Sequence, residues 1–197
     1  MIVTRADQRM SRPNDARALR SREALRAGLL ALLQEQPFHQ ISIRDITNRA
    51  GVSYPVFFRR YASKDELFAD LAAEEVRNLL GRSYPMLEDS DPASALHELC
   101  AYVQDRRTLW KALLTTGGAS AMRDEFARIS AELGHSGPRR NPWLPVSLAS
   151  SFVAAAIFEI LTWWLVQPED YPMRNIELFL EHLILRPTTI PQNVEIV

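Results

Sequence analysis

At 197 residues, with 47% hydrophobic and 24% charged side chains, the chain has an ordinary globular composition and the length for one sizeable core or a small domain plus a larger one. Its single cysteine, Cys100, excludes an intrachain disulfide, and its four histidines, at positions 39, 97, 135 and 182, lack the spacing of a metal site. The net charge of −1 conceals a division: Met1 to Lys64 holds 12 basic and 5 acidic residues, a net +7, whereas Asp65 to Val197 holds 11 and 19, a net −8.

A basic first third on an acidic body draws phosphates to one end and repels them from the other. Met1 to Asn14 is polar, carries Arg5, Arg9 and Arg12, and reads as a solvated tail, with a basic arm for a minor groove as the alternative. Asp15 is placed to cap a first long helix whose stripe is Leu25, Leu29, Leu32 and Leu33 and which Pro37 ends. Ser42 with Asp45 then forms a capping-box pair, so a second helix starts near Ile43, with Ile46 and Ala50 on its inner face and Gly51 as its left-handed stop. Ser53 is a candidate cap for a third helix, Tyr54 to Tyr61, with Pro55 tolerated in its first turn. Ser63 with Glu66 opens a fourth. Helix, three-residue turn with Gly, helix is the helix-turn-helix layout, whose second helix enters the DNA major groove. Arg59 and Arg60 lie on that helix, and Arg44 and Lys64 flank it.

Beyond layout, the segment ISIRDITNRAGVSYPVFFRRYASKDELFADL resembles the DNA-binding region of the TetR family of transcriptional regulators, with its AGVS turn, its aromatic pair Phe57-Phe58 and its trailing SKDEL. The resemblance is dense over Ser42 to Leu71 and implies an all-helical homodimer. Each protomer would have a three-helix DNA-binding domain and a larger helical domain that dimerises and often binds a small effector. It places Arg44, Tyr54 and Val56 toward the floor of the groove, and it puts Phe58 where a phosphate-binding tyrosine is common. The candidate DNA-binding set is Ser42, Arg44, Ser53, Tyr54, Pro55, Val56, Phe58, Arg59, Arg60 and Lys64.

From Lys64 the pattern predicts a helix to about Leu80, closed by Gly81 and Pro85, with a turn-rich break at Asp89 to Pro92. Pro92 to Thr116 reads as one helix or two abutting ones, stopped by Gly117-Gly118, and Ala119 to Leu133 as another. Gly134 to Pro145 is a loop by composition and the expected mobile segment. Val146 to Val166 is long and apolar enough to span a bilayer, but Ser147, Ser150, Ser151, Glu159 and Thr162 would be costly there. A soluble helix buried on more than one side is expected instead, partly against its own domain and partly against a partner. The last helix, after Tyr171-Pro172, has Ile176, Phe179, Leu180, Leu183 and Ile184 on a broad apolar face.

The expected fold is therefore all-α. Residues 1–67 form an N-terminal arm and three-helix helix-turn-helix DNA-binding domain, and residues 68–197 a larger C-terminal helical domain for effector binding and dimerisation through 146–166 and 173–185. Trp110, Leu114, Met122, Phe126, Phe152 and Phe158 are candidates to line a pocket for a small apolar effector, each with plain core packing as its alternative role. The functional expectation is a cytoplasmic homodimeric repressor released from a palindromic double-stranded DNA operator by that effector. The alternative is a DNA-binding architectural factor with no small-molecule switch. No GxSxG or GxGxxG motif occurs, so neither an enzyme nor a cofactor is expected.

Overall fold

A computed structural model describes residues 13–88, 91–136, 141, 143–189 and 194, and every regular element among them is helical. The chain divides into two compact units on either side of Leu67 and Phe68.

In the first unit, α1 (Pro13–Glu35) turns Leu25, Leu29, Leu32 and Leu33 inward. The helix already includes Pro13, so Asp15 lies inside it and does not cap it; proline's fixed φ and missing amide suit a first helical turn. A short 3-10 turn, Phe38–Gln40, leads to α2 (Ile43–Ala50). The capping box forms as expected: Asp45 N–H donates to Ser42 Oγ at 3.2 Å, and Ser42 N–H donates to Asp45 Oδ2 at 2.9 Å. Gly51 ends the helix at φ 64°, in the left-handed region. Helices α1 and α2 cross closely because residue 28 is glycine; a Cβ there would sit 3.1 Å from the Ile46 carbonyl oxygen and 3.2 Å from the Ala50 amide. Thr47, buried on α2, satisfies its hydroxyl by donating to the Arg44 carbonyl.

The third helix, α3, spans only Tyr54–Phe58, with Pro55 in its first turn. Ser53 makes no side-chain capping bond. Beyond Phe58 the chain turns, with the amides of Arg60 and Tyr61 both donating to the Phe57 carbonyl. α4 (Lys64–Glu88) starts as predicted, with Glu66 N–H donating to Ser63 Oγ, although Glu66 reaches back to the amide of Ala62. Phe57, Tyr61 and Leu67 close this unit's core with Ile41 and Ile46.

The second unit begins inside α4 and adds α5 (Pro92–Asp105), α6 (Arg107–Thr115), α7 (Ala119–Ser136), α8 (Val146–Leu165) and α9 (Met173–Leu180). A single π-helical turn, Glu181–Leu185, leads to α10 (Arg186–Thr189). Two boundaries differ from expectation. α4 continues through Gly81 and Pro85, because Leu79, Leu80 and Ser83 are buried and their packing outweighs the weak helix propensity of glycine. Pro92 to Thr116 takes the second of its two expected arrangements, two helices that meet at Arg106, whereas α7 passes its expected end at Leu133 and runs on through Gly134 to Ser136. Residues 89 and 90 of the expected break at Asp89 to Pro92, and residues 137–140 and 142 of the expected Gly134 to Pro145 loop, lie outside the described residues. Asn141 is nevertheless buried, its side-chain amide donating to the Thr188 carbonyl.

α8 sits at the centre, against α6, α7 and α9. Trp110 and Phe158 lie nearly parallel with centroids 6.4 Å apart, and Phe126 meets Phe158 edge-on at 5.7 Å. Arg107 donates to the carbonyls of Trp164 and Gln167 and so satisfies the end of α8. The outer side of α8 is largely apolar: Leu148, Phe152 and Trp163 are exposed at helical spacing, with the exposed carboxylate of Glu159 between the last two, and Val166 follows. Trp163 meets Phe179 of α9 at 6.1 Å, which joins this stripe to Phe179 and Leu183.

Candidate functional site

Two features of the structure invite a partner, one in each unit. In the first, α3 buries only Phe57 and turns nearly everything else outward. Ser42, Arg44, Ser53, Tyr54, Pro55, Phe58, Arg59 and Arg60 are exposed, and Val56 is half-buried. Tyr54 and Phe58 stand edge to face at 5.1 Å and remain about half exposed, an unusual position for two aromatic rings in a unit with a filled core. Among the described residues Arg44, Arg59 and Arg60 form no ion pair, so their charge is available to a polyanion. Arg49, by contrast, is engaged by a two-pronged bond to Glu35 that holds the carboxyl below its usual range.

Lys64 departs from the expectation of a simple surface cation. Its ammonium donates to the carbonyls of Phe38 and Ile41, at 3.1 and 2.9 Å, and sits 4.6 Å above the Phe38 ring. Two of its three N–H donors thus tie the 3-10 turn to the start of α4, and Lys64 braces the unit before it can meet a phosphate. The Met1 to Asn14 arm lies outside the described residues except for Pro13 and Asn14.

In the second unit a half-open cavity of about 240 Å³ lies among α4, α5, α7, α8, α9 and the turn after it. Its walls include Leu80, Ser83, Tyr84, Leu96, Leu99, Phe126, Ser130, Val153, Ile157, Leu180 and Thr188. Of the six residues expected to line a pocket, only Phe126 does so. Trp110, Leu114, Met122 and Phe158 are instead buried in the core beside it, because their large side chains fill the space between α6, α7 and α8. Phe152 points outward on α8. Ser83 and Tyr84 escaped the sequence reading because they follow Gly81, which read as a helix stop.

Two buried carboxylates flank this core. Burial pushes the Glu75 carboxyl up, against the opposing effects of the Tyr102 hydroxyl, which donates to it at 2.9 Å, and the guanidinium of Arg106. The Trp110 indole N–H lacks a hydrogen-bond partner by geometry, yet lies near enough to Glu75 to favour its charge. Burial also raises Glu177, but donation from Arg174 and His97 outweighs it and leaves that carboxyl below its usual range. Cys100 is buried nearby, its thiol pushed up to about 12 by burial and by Glu177. No group of three or more metal-ligating side chains occurs among the described residues.

Residues 25–71 match the family model described as bacterial regulatory proteins, tetR family. A comparison with curated proteins finds no match. Among solved structures, a TetR transcriptional regulator from Streptococcus agalactiae superposes with a TM-score of 0.60 at 18% identity, covering 87% of this chain and 97% of that one. FadR of Thermus thermophilus, a TetR-family transcriptional repressor in complex with lauroyl-CoA, gives 0.60 at 16% identity, covering 89% and 99%. NalD, the secondary repressor of the MexAB-OprM multidrug efflux pump in Pseudomonas aeruginosa, gives 0.55 at 19%, covering 88% and 98%.

Proposed function

From an N-terminal domain of the tetR family, on a chain with the fold of TetR-family transcriptional regulators, we propose that the protein is a cytoplasmic homodimeric repressor, released from a palindromic operator by a small molecule. The observation that carries this reading is the outward face of α3. Arg44, Arg59 and Arg60 offer unpaired charge for phosphates, and Tyr54, Val56 and Phe58 offer an apolar surface for base edges. One such helix makes few contacts, so useful specificity needs two half-sites held about one helical turn, or a multiple of it, apart.

The stripe of Leu148, Phe152, Trp163, Val166, Phe179 and Leu183 supports a dimer that supplies this spacing. A face with this many exposed large apolar side chains, interrupted on α8 by Glu159, is unusual on a monomer, and two helices per protomer form a four-helix seam. The cavity supports release by a ligand over the switchless architectural alternative. An effector that binds better to a dimer of the wrong spacing needs a coupling of only about 1–3 kcal/mol to act. The related repressor that binds lauroyl-CoA supports a ligand-responsive role for this chain. Selection from random duplexes, followed by a salt titration, is the test: enriched inverted repeats with steep salt dependence are expected, and enrichment of unrelated sequences without a repeat contradicts the proposal.

A further inference from the structure

The composition of α3 narrows what its outward face can recognise. Across Tyr54–Phe58 no side chain is an amide, a carboxylate or a cation. Those are the groups that read adenine, cytosine and guanine through paired hydrogen bonds in the major groove. The only polar side-chain atom of the helix is the Tyr54 hydroxyl, and Ser53 precedes it with no capping bond. A hydroxyl both donates and accepts, so neither group discriminates strongly between bases. What remains is hydrocarbon: Pro55 and the rings of Tyr54 and Phe58 are exposed, and Val56 is half-buried. The two rings stand edge to face at 5.1 Å, and Phe58 meets the buried ring of Phe57 at 5.3 Å. The pair is thus anchored to the core and has little side-chain freedom to lose on binding.

Charge beside the rings says what kind of surface they meet. Arg59 and Arg60 follow them directly, Arg44 is exposed on α2, and none of the three forms an ion pair among the described residues. Against an apolar protein surface these guanidinium groups would be left without partners, whereas a polyanion satisfies them. Within duplex DNA one apolar group is open to a protein in the major groove, the methyl on C5 of thymine. The same methyl stands on 5-methylcytosine, in a pair whose hydrogen-bonding edge is different.

Resting on the DNA-binding reading above, we infer that α3 recognises the C5-methyl group of pyrimidines rather than the hydrogen-bonding edge of any one base. Tyr54 and Phe58 are the residues that determine this specificity, and the arginines hold the phosphates. The operator then carries thymine where α3 lies, and cytosine methylated at C5 substitutes for it better than cytosine does.

The test uses the full-length protein and the duplex enriched by selection from random sequences. Each thymine of a half-site is replaced in turn by deoxyuridine, which removes the methyl and keeps every hydrogen-bonding group of the pair. At one or more positions the affinity is expected to fall about fourfold, the worth of one buried methyl group. At those positions a cytosine–guanine pair is compared with its 5-methylcytosine counterpart, and the methyl is expected to raise affinity by about the same factor. Tyr54→Phe should keep this sensitivity to the methyl, while Tyr54→Ala and Phe58→Ala should each reduce it, with the helical circular dichroism unchanged. Should Phe58→Ala fail to fold, because it also removes a contact to Phe57, the comparison of Tyr54→Ala with Tyr54→Phe serves alone. Undiminished binding with deoxyuridine at every thymine overturns the inference, because a preference for thymine would then reside in duplex shape. A methyl effect of equal size in the wild type and the folded alanine variants overturns it too, as does a cytosine methyl that brings no gain. Each of these outcomes leaves a protein that binds its selected duplex, so the regulator reading survives them. Failure to enrich any duplex contradicts that reading, and the inference with it.

Discussion

Tyr54 and Phe58 stand edge to face and about half exposed, and on the proposed DNA-binding reading they would meet the one apolar feature of the major groove, the thymine methyl group. Tyr54→Ala should therefore change sequence preference, with about 1–3 kcal/mol lost on the preferred base pair. Arg60→Ala should weaken all duplexes alike and reduce the salt slope by about 1. Parallel selections on the two variants compare these outcomes, and a uniform loss in both would show that reading and positioning have been misassigned. Lys64 behaves differently again. Because its ammonium bridges two carbonyls, Lys64→Met should lower the stability of the protein by about 1–3 kcal/mol as well as its DNA affinity, as denaturant titration would show. The sequence places Lys64 soon after α3 but carries no sign of which distant carbonyls it meets, so its bracing role was not legible there. Glu75 gives a prediction in pH. Its folded-state pKa lies above the unfolded value because of burial, so its protonated form is the one that stabilises the fold. That contribution is full below the unfolded pKa and is lost as pH rises through the folded one. Glu75→Gln should remove this loss, so that melting temperature changes more favourably with rising pH in the variant than in the wild type through and above the ordinary carboxylate range. An unchanged profile would mean that Glu75 is not the titrating group.

Elements with local signals were readable from the chain alone. α2 is bounded by Ser42, Asp45 and Gly51, and each of these acts within one turn of itself, so their spacing carries the information. The extent of α8 was legible too, although the side that carries Leu148, Phe152 and Trp163 is exposed in the single chain where burial on more than one side was expected. Elements sustained by tertiary packing were misjudged: Gly81 and Pro85 are breakers by propensity, and only the burial of Leu79, Leu80 and Ser83 shows why α4 passes them. The lining of the cavity was not legible for the same reason. Aromatic residues at helical spacing show that a core exists, but not which of them fill it and which leave space. Gly118, between α6 and α7, illustrates how tight that packing is. A Cβ there would lie 2.7 Å from the Leu113 carbonyl oxygen and 3.1 Å from the Phe68 ring, so Gly118→Ala should cost about 1–3 kcal/mol, measured by chemical denaturation. A neutral substitution would mean that the α6–α7 connection yields more readily than this geometry allows.

At the scale of the whole molecule, the proposal rests on pairing two copies through the stripe that runs from Leu148 to Leu183. Phe179, partly exposed and in contact with Trp163, lies within it. Phe179→Asp would place a desolvated carboxylate without a partner in the seam, and should cost several kcal/mol of association. The resulting monomer should keep its helical signal and lose affinity for a full operator, because each half-site alone binds weakly. The most direct measurement is sedimentation of the wild-type protein and of Phe179→Asp, each alone and with the palindromic duplex obtained by selection. The account predicts a wild-type dimer that binds one duplex as two protomers, and a folded monomeric variant that leaves the duplex free. A wild-type monomer, or a monomeric variant that holds the full operator with undiminished affinity, would contradict it.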